Sequence, residues 1–488
     1  MNSTIIEYAK NKNLIITEEG LRLLNIDNYK NIIDKLELEN KVFIKPEEIR
    51  KVIVSTNYKN PENTVNLNKS NFYIFDKYDV TNQTLSQGKV EDFQKLFLDK
   101  YKVLSNIIKT REGFNYTTIE SAKKELKNKD VDIIGMVYEK RLTQKGNLMI
   151  TVDDPTGKIR LVIVNKDEKE FFKYKEILLD NVLGFKCVVL AKDILICNEV
   201  IYPDIPYINK ISTVKDDKYM AIIGDTHIGS KLFLEKEFND FINWLNLKDN
   251  ENKDVVEKIK YLVIAGDLVD GVGIYPKQFD ELAIPDIFEQ YRIFENFILK
   301  IPQNIEIFII PGNHDAVRLS DPQPAIPEKF LPKLYAQKNI HFMGSPAWVE
   351  IEGFKTLIYH GAALQGIYST IKNATMDKPD LAIKEILKRR DLMPQYGERQ
   401  TFVPIEKNFM VLREIPDIYI GADVHHHAYS KYKHCHMINT SCWQSITSYQ
   451  VEKGHVPTLA KIMLFNFKNQ KVLIKDFYKE EKKLELQE

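Results

Sequence analysis

Five apolar stretches each run into a turn that carries Asp, Asn or His, and this arrangement decides most of what the chain can fold into. Tyr219-Met220-Ala221-Ile222-Ile223 leads into Gly224-Asp225-Thr226-His227, and Tyr261-Leu262-Val263-Ile264-Ala265 into Gly266-Asp267-Leu268-Val269-Asp270. Ile305-Glu306-Ile307-Phe308-Ile309-Ile310 leads into Pro311-Gly312-Asn313-His314-Asp315. Downstream, Phe354-Lys355-Thr356-Leu357-Ile358-Tyr359 ends in His360-Gly361, and Asp417-Ile418-Tyr419-Ile420 in Gly421-Ala422-Asp423-Val424-His425. Short runs of this kind, alternating with helix-length segments, predict buried strands in βαβ units. One such turn alone would read as a polar cap. In layered α/β proteins ligands gather at the carboxyl ends of strands, so the five turns are expected to converge on one site.

At 488 residues the chain exceeds what one hydrophobic core holds, and its pattern divides into a multi-domain α/β protein. Residues 1–55 read as a small helical N-terminal module, with helix starts at Thr17-Glu18-Glu19 and Lys45-Pro46-Glu47-Glu48-Ile49. Residues 56–125 read as a polar linker, rich in Asn, Lys, Ser and Thr as far as Gly88, followed by an amphipathic helix. Val90, Phe93, Phe97, Tyr101, Leu104 and Ile108 recur at helical spacing and predict that helix over 90–110. Within 126–212 the pattern changes to strands. Runs at 131–138, 148–152, 158–164 and 188–200, a turn at Asp153-Asp154-Pro155-Thr156-Gly157 and a helix near 168–174 predict a small β-barrel of the OB type. Lys140, Arg141, Lys145, Lys158 and Arg160 are candidates for holding single-stranded nucleic acid there; alternating charge on a solvated face explains them equally well. Residues 213–488 carry the five turns. Helical stretches at 235–247 and 280–299 alternate with their strands, runs at 461–467 and 471–478 predict a closing hairpin, and the charged last ten residues are expected to fray.

Charge narrows the partners little: Lys+Arg 69 balances Asp+Glu 69, so any basic groove is local. Cys187, Cys197, Cys435 and Cys442 form no Cys-x-x-Cys pair and no disulfide framework. His434-Cys435-His436 with Cys442 is a zinc candidate in principle, against the plainer reading of two strands with half-buried thiols. No apolar run reaches membrane-spanning length and the start lacks a signal-peptide core, so a cytoplasmic protein is expected.

Carboxylates, an amide oxygen and imidazoles suit divalent ions such as Mn²⁺, Mg²⁺, Fe²⁺ or Zn²⁺, and the absence of Cys disfavours a soft site. This many ligands oversupply one ion and fill two. A two-metal centre, with ions roughly 3.5–4 Å apart, clamps a phosphate and activates water. Asp267, central in the order, is the natural bridging carboxylate.

The five blocks resemble the calcineurin-like metallophosphoesterase superfamily, whose pattern is Asp-x-His, Gly-Asp-x-x-Asp, Gly-Asn-His-Asp/Glu, a lone His, then Gly-His-x-His. A narrower resemblance lies in Pro311-Gly312-Asn313-His314-Asp315-Ala316-Val317-Arg318, Asp321-Pro322-Gln323-Pro324, Tyr359-His360-Gly361 and Asn439-Thr440-Ser441-Cys442-Trp443-Gln444. These look like the small subunits of archaeal D-family DNA polymerases, over roughly 90–480. The resemblance implies an OB-type barrel followed by a two-metal phosphoesterase domain, a layered α/β sandwich. Asp225, His227, Asp267 and His425 would hold one ion, and Asp267, Asn313, His360 and Asp423 the other. His314 would orient the scissile phosphate or protonate the leaving 3′ oxygen. The implied activity is a proofreading 3′→5′ exonuclease, Mn²⁺ the favoured metal, acting on single-stranded or mismatched 3′ ends of DNA. Its partner would be the large catalytic subunit, in a heterodimer or larger complex. Arg318, Lys158 and Arg160 are the candidate DNA contacts. One position departs from the pattern: Asp423 stands where the family has the first histidine of Gly-His-x-His. A local shift bringing in His426 or His427 is the alternative, and the gap-free register favours Asp423. Of the other histidines, His341, His434, His436 and His455 are expected to pack or face solvent. A scaffold with a silent site, or a stand-alone phosphatase or phosphodiesterase, are the rival functions.

Overall fold

β-Branched and aromatic residues form strands wherever five or more run together, and all five apolar runs do so in the computed structural model. The described residues are 71–478, save 84, 85, 211, 249, 250, 398, 399 and 453, together with 484–487; of the first seventy they are Ala9, Lys12, Ile15, Ile16, Ile33, Phe43 and Ile44. The chain divides into Met1–Lys69 and Ser70–Glu488. In the first unit, strand Ile15–Ile16 pairs in parallel with Phe43–Ile44; the helix starts expected in 1–55 lie outside the described residues.

In the second unit, Tyr219–Ile223, Ile259–Ala265 and Glu306–Ile310 are parallel neighbours in a seven-stranded sheet. Ile340–Phe342 flanks them on one side, and Lys461–Asn466, Val472–Asp476 and Leu484–Gln487 follow on the other. Phe354–Ile358 and Ile418–Gly421 are parallel neighbours in a six-stranded sheet. Successive residues of these strands turn to opposite, equally buried faces. Met220, Ile222, Val263, Phe308 and Ile310 meet Val349, Ile358, Ile418 and Ile438 in an apolar cluster between the sheets. Ala221, Ile223, Leu262, Ile264 and Ile307 turn outward beneath helices Glu235–Leu245 and Ile287–Ile298. On the far side, Leu357, Tyr359, Tyr419 and Met437 pack with helix Pro379–Arg389. The layers therefore run helix, sheet, sheet, helix.

Upstream, Asp130–Leu142, Leu148–Asp154, Gly157–Ile163, Ile194–Ile201 and Val182–Ala191 pair in that order, and the last closes on the first as a five-stranded barrel. Helix Glu168–Lys175 connects the third strand to Val182–Ala191 and is capped by Asp167, whose carboxylate accepts from Glu170 N at 2.8 Å. Helix Val90–Lys109 lays Leu104 and Ile108 against Ile134 and Val182 of the barrel. Its Lys100 makes a buried ion pair with Asp391 at 2.6 Å, tying the helix to the layered body.

Several expectations change. The expected linker contains strand Phe72–Ile74, an edge of the six-stranded sheet paired with Ala347–Ile351. The run at 188–200 is two strands, separated by a turn at Lys192-Asp193. The helix expected from 280 starts at Ile287, because Pro285 precedes Asp286 and the Asp286 carboxylate caps the N–H groups of Phe288 and Glu289. Of the tail expected to fray, Leu484–Gln487 pairs with Val472–Asp476. All four cysteines are free and buried rather than half-buried, Cys435 within strand Cys435–Asn439.

Candidate metal centre

Each candidate ligand stands in the turn that follows its strand, and the backbone there is unusual. Asp225, His227, Asp267, Asp423 and His425 have φ of 51°, 46°, 50°, 70° and 54°, all left-handed. Asp and His enter that region more readily than most residues, yet each such placement costs on the order of 1 kcal/mol. Gly312 is equally constrained: a Cβ there would lie 2.1 Å from Asp267 Oδ1. Its missing side chain lets the Asn313-His314 loop touch Asp267, and the His314 N–H donates to Asp267 Oδ1 at 2.8 Å. Asp315 holds the loop from behind, accepting from Gly312 N at 2.9 Å, Leu268 N at 3.2 Å and the Tyr291 hydroxyl at 3.0 Å.

The turns converge. Asp225, His227 and His425 bring ligand atoms within 4.8 Å of one another, as do His227, Asp267 and His314, and Asp225, Asp267 and His360. His360 Nε2 lies 3.3 Å from Asp267 Oδ2 and 3.9 Å from Asp423 Oδ1. His227, Asp267, Asn313, His314, Asp423 and His425 line a cleft of about 680 Å³ that also receives Tyr275, Leu319, Met376 and His455.

Hydrogen bonds fix which nitrogen of each ring faces the cleft. The Nδ1–H of His360 donates to Ala265 O at 2.7 Å, that of His314 to Asp270 O at 2.7 Å, and that of His227 to Asp270 Oδ1 at 3.1 Å. In all three Nε2 is left facing inward, the atom through which such a ring ligates a metal. His360 Nε2 and Asn313 Oδ1 are buried with no hydrogen-bond partner. Buried polar atoms are nearly always paired, so this side fits a divalent cation. Asp270 completes the support: Gln444 donates to its Oδ1 at 2.9 Å and Gln278 to its Oδ2 at 3.1 Å.

Burial raises the pKa of Asp225 and of Asp423, with Asp267 adding to both, although His360 opposes. Asp267 goes the other way: burial favours its neutral form, but His360, His314 and His227 outweigh it and hold the carboxyl well below its usual range. Burial pulls His360 down, yet Asp267, Asp225 and Asp423 raise it well above an ordinary histidine. Burial and His227 push His425 well down. Acids and imidazoles thus share protons in a water-poor site, the electrostatics that a bound cation would relieve.

A family model that describes the B-subunits of DNA polymerases alpha and epsilon matches residues 220–431, which contain every candidate ligand. The DNA polymerase II small subunit of Archaeoglobus fulgidus is 38% identical over 390 residues, 79% of this chain and 77% of that one. That of Methanothermobacter thermautotrophicus is 36% identical over 390 residues, covering 80% of each chain. The chain belongs to the archaeal DNA polymerase II small subunits. With the small subunit of Thermoplasma acidophilum the match runs over 460 residues at 34% identity, 90% of this chain and 91% of that one. The motif resemblance to the D-family small subunit thus holds across most of the length.

Within this small subunit, Asp225, His227, Asp267, Asn313, His314, His360, Asp423 and His425 lie close together. The candidate DNA contacts do not join them. Arg318 donates from Nε to Pro322 O at 2.9 Å, within its own loop. Lys158 lies 3.3 Å from the centroid of the Tyr138 ring and Arg160 is an exposed residue of the same barrel strand, so neither lines the cleft. His436 packs edge-on to Phe465, and His341 stacks on Phe308. Three supporting residues were given no role from the sequence. Asp270 was visible as the last Asp of Gly-Asp-x-x-Asp and Gln444 beside Trp443. Gln450, whose Nε2 donates to His425 Nδ1 at 2.8 Å, carried no signal at all.

Proposed function

We propose that this small subunit is a metal-dependent 3′→5′ exonuclease that removes nucleotides from single-stranded or mismatched DNA 3′ ends on behalf of the large polymerase subunit. A polymerase small subunit implies that large partner, and among the described residues no helix is long and apolar enough to cross a membrane. The proposed place of action is the cytoplasm. In this reading the barrel at 126–212 is an OB-type domain, 213–488 with strand Phe72–Ile74 is a calcineurin-like phosphoesterase domain, and 1–55 is a separate helical module.

The observation that carries the reading is the pair of buried atoms without a hydrogen-bond partner, His360 Nε2 and Asn313 Oδ1, beside Asp267. Asp267, Asn313, His360 and Asp423 would hold one divalent cation, and Asp225, His227, Asp267 and His425 the second, with Mn²⁺ preferred over Mg²⁺, Fe²⁺ or Zn²⁺. Bound there, the cations would supply Lewis-acid activation of the phosphodiester and of the attacking water. The protein's own groups do the rest. Asp267 sets the spacing of the two sides. His314, anchored through Nδ1–H to Asp270 O and half-open to the cleft, presents Nε2 to the phosphate and, when protonated there as well, can pass that proton to the departing 3′ oxygen. Asp423 adds a carboxylate where the family pattern has imidazole, which favours harder cations.

A time course with the purified full chain, Mn²⁺ and a 5′-labelled single-stranded oligonucleotide tests this beside a His314→Ala control. Stepwise 3′ shortening that the control lacks, with cation content unchanged, is the expected result. Degradation that survives in the control refutes the role of His314. Absence of degradation with every metal refutes the nuclease reading for the isolated chain and leaves a scaffold.

A further inference from the structure

We infer that Gln450 makes the two sides of this centre unequal: the Asn313–His360 side takes a divalent cation first, and the His227–His425 side fills only when the Gln450 amide turns over. The inference rests on the two-cation reading above and deepens it.

Three of the four imidazoles are held by acceptors. His360, His314 and His227 each give Nδ1–H to an oxygen and turn Nε2 inward. His425 alone is held by a donor, since Gln450 Nε2 donates to its Nδ1 at 2.8 Å. The amide cannot be read the other way without loss, because the Thr447 N–H donates to Gln450 Oε1 at 3.0 Å and Gln450 N–H returns to Thr447 Oγ1 at 3.2 Å. A ring that accepts at Nδ1 carries its proton on Nε2. That proton points at His227 Nε2, 2.9 Å away, so the two imidazoles close on each other across the place a cation would occupy. Ligation through His425 Nε2 requires the proton to move to Nδ1. Gln450 must then offer oxygen instead of nitrogen, and the Thr447 bond is lost. The other side needs no amide to turn over: His360 Nε2 and Asn313 Oδ1 lie there without a hydrogen-bond partner. Outer partners of ligating histidines shift metal affinity by about 10–100-fold, so the two sides should differ by roughly 10-fold or more.

Gln450→Glu is the informative change, because a carboxylate accepts from both the Thr447 N–H and a His425 Nδ1–H. Calorimetric titration of the metal-free full chain with Mn²⁺, with electron paramagnetic resonance counting the bound ions, should give two resolved steps. In Gln450→Glu the weaker step should tighten by about 10–100-fold and the tighter step should stay put. Independently, nitrogen NMR of the metal-free wild-type chain should find a bare Nδ1 at His425 and a protonated Nδ1 at His227, His314 and His360. Two equal steps in the wild type, an unmoved weaker step in Gln450→Glu, or a bare Nε2 at His425 each overturns the role of Gln450 and leaves the two-cation centre standing. Failure to bind any Mn²⁺ overturns the two-cation reading, and this inference with it.

Discussion

Replacing Gly312 by alanine tests whether the Asn313-His314 loop must touch Asp267. The new Cβ would stand 2.1 Å from Asp267 Oδ1, 2.6 Å from Asp267 N and 2.7 Å from His360 Cε1. Ordinary contact begins near 3.5 Å, so the methyl is roughly 1.4 Å short of room. None of the three neighbours is the free end of a flexible chain: one is backbone, one an imidazole pinned by its bond to Ala265 O, one a carboxylate fixed by the His314 N–H. The loop must therefore move, carrying Asn313 and His314 away from the cation position. Overpacking of this size costs about 1–3 kcal/mol, a fall in Tm of a few degrees. A displacement near 1 Å at a reacting centre costs on the order of 100-fold in rate. Gly353→Ala is the control, because Gly353 has φ of 79° but nothing within 4 Å of its Cβ position; it should lose stability and keep Mn²⁺ binding. Calorimetry and thermal melting of both variants decide the matter. If Gly312→Ala binds Mn²⁺ and hydrolyses oligonucleotide like the wild type, the close approach at Asp267 is not what builds the site.

Asp267→Ala should remove both cations together, read as loss of both binding steps in the same titration; retention of two ions would rule out the bridging role. The protein should also lose the Tm increase that cations give the wild type, since ligands stabilise only the state that binds them. Acid should destabilise the fold through His436, buried against Phe465 and pushed down to about 4 by burial. An unfolded histidine titrates near 6.5, so the unfolded chain binds more protons below that value and stability falls as the pH drops from 6.5 toward 4. The loss between pH 7 and pH 5 is about 2 kcal/mol. Chemical denaturation at the two pH values should show a smaller difference in His436→Gln; an equal difference would assign the acid sensitivity elsewhere.

What could be read from the sequence followed from how locally each feature is determined. The five central strands are continuous apolar runs because both their faces are buried, and a run of that kind needs no partner to be recognised. Strand Phe72–Ile74 is three residues in an Asn- and Lys-rich stretch, and only its pairing with Ala347–Ile351 makes it a strand. The turn at Lys192-Asp193 contains neither Gly nor Pro, so two strands read as one. The ligand types were legible in the turns, but the left-handed backbone of Asp225, His227 and Asp423 was not. Nor was the support from Gln450, which lies 25 residues beyond His425 in sequence and meets it only in the folded chain.

Those left-handed turns bear on how such a protein could change over generations. Asp225, His227, Asp267, Asp423 and His425 all hold a conformation that glycine or asparagine adopts more cheaply. Were selection for hydrolysis relaxed, replacement of any one by Gly or Asn would relieve local strain and mutual charge at once, and the fold would gain stability from losing its chemistry. Drift from enzyme to scaffold would then run downhill in free energy. A stability gain in such variants would measure what the retained residues cost the fold.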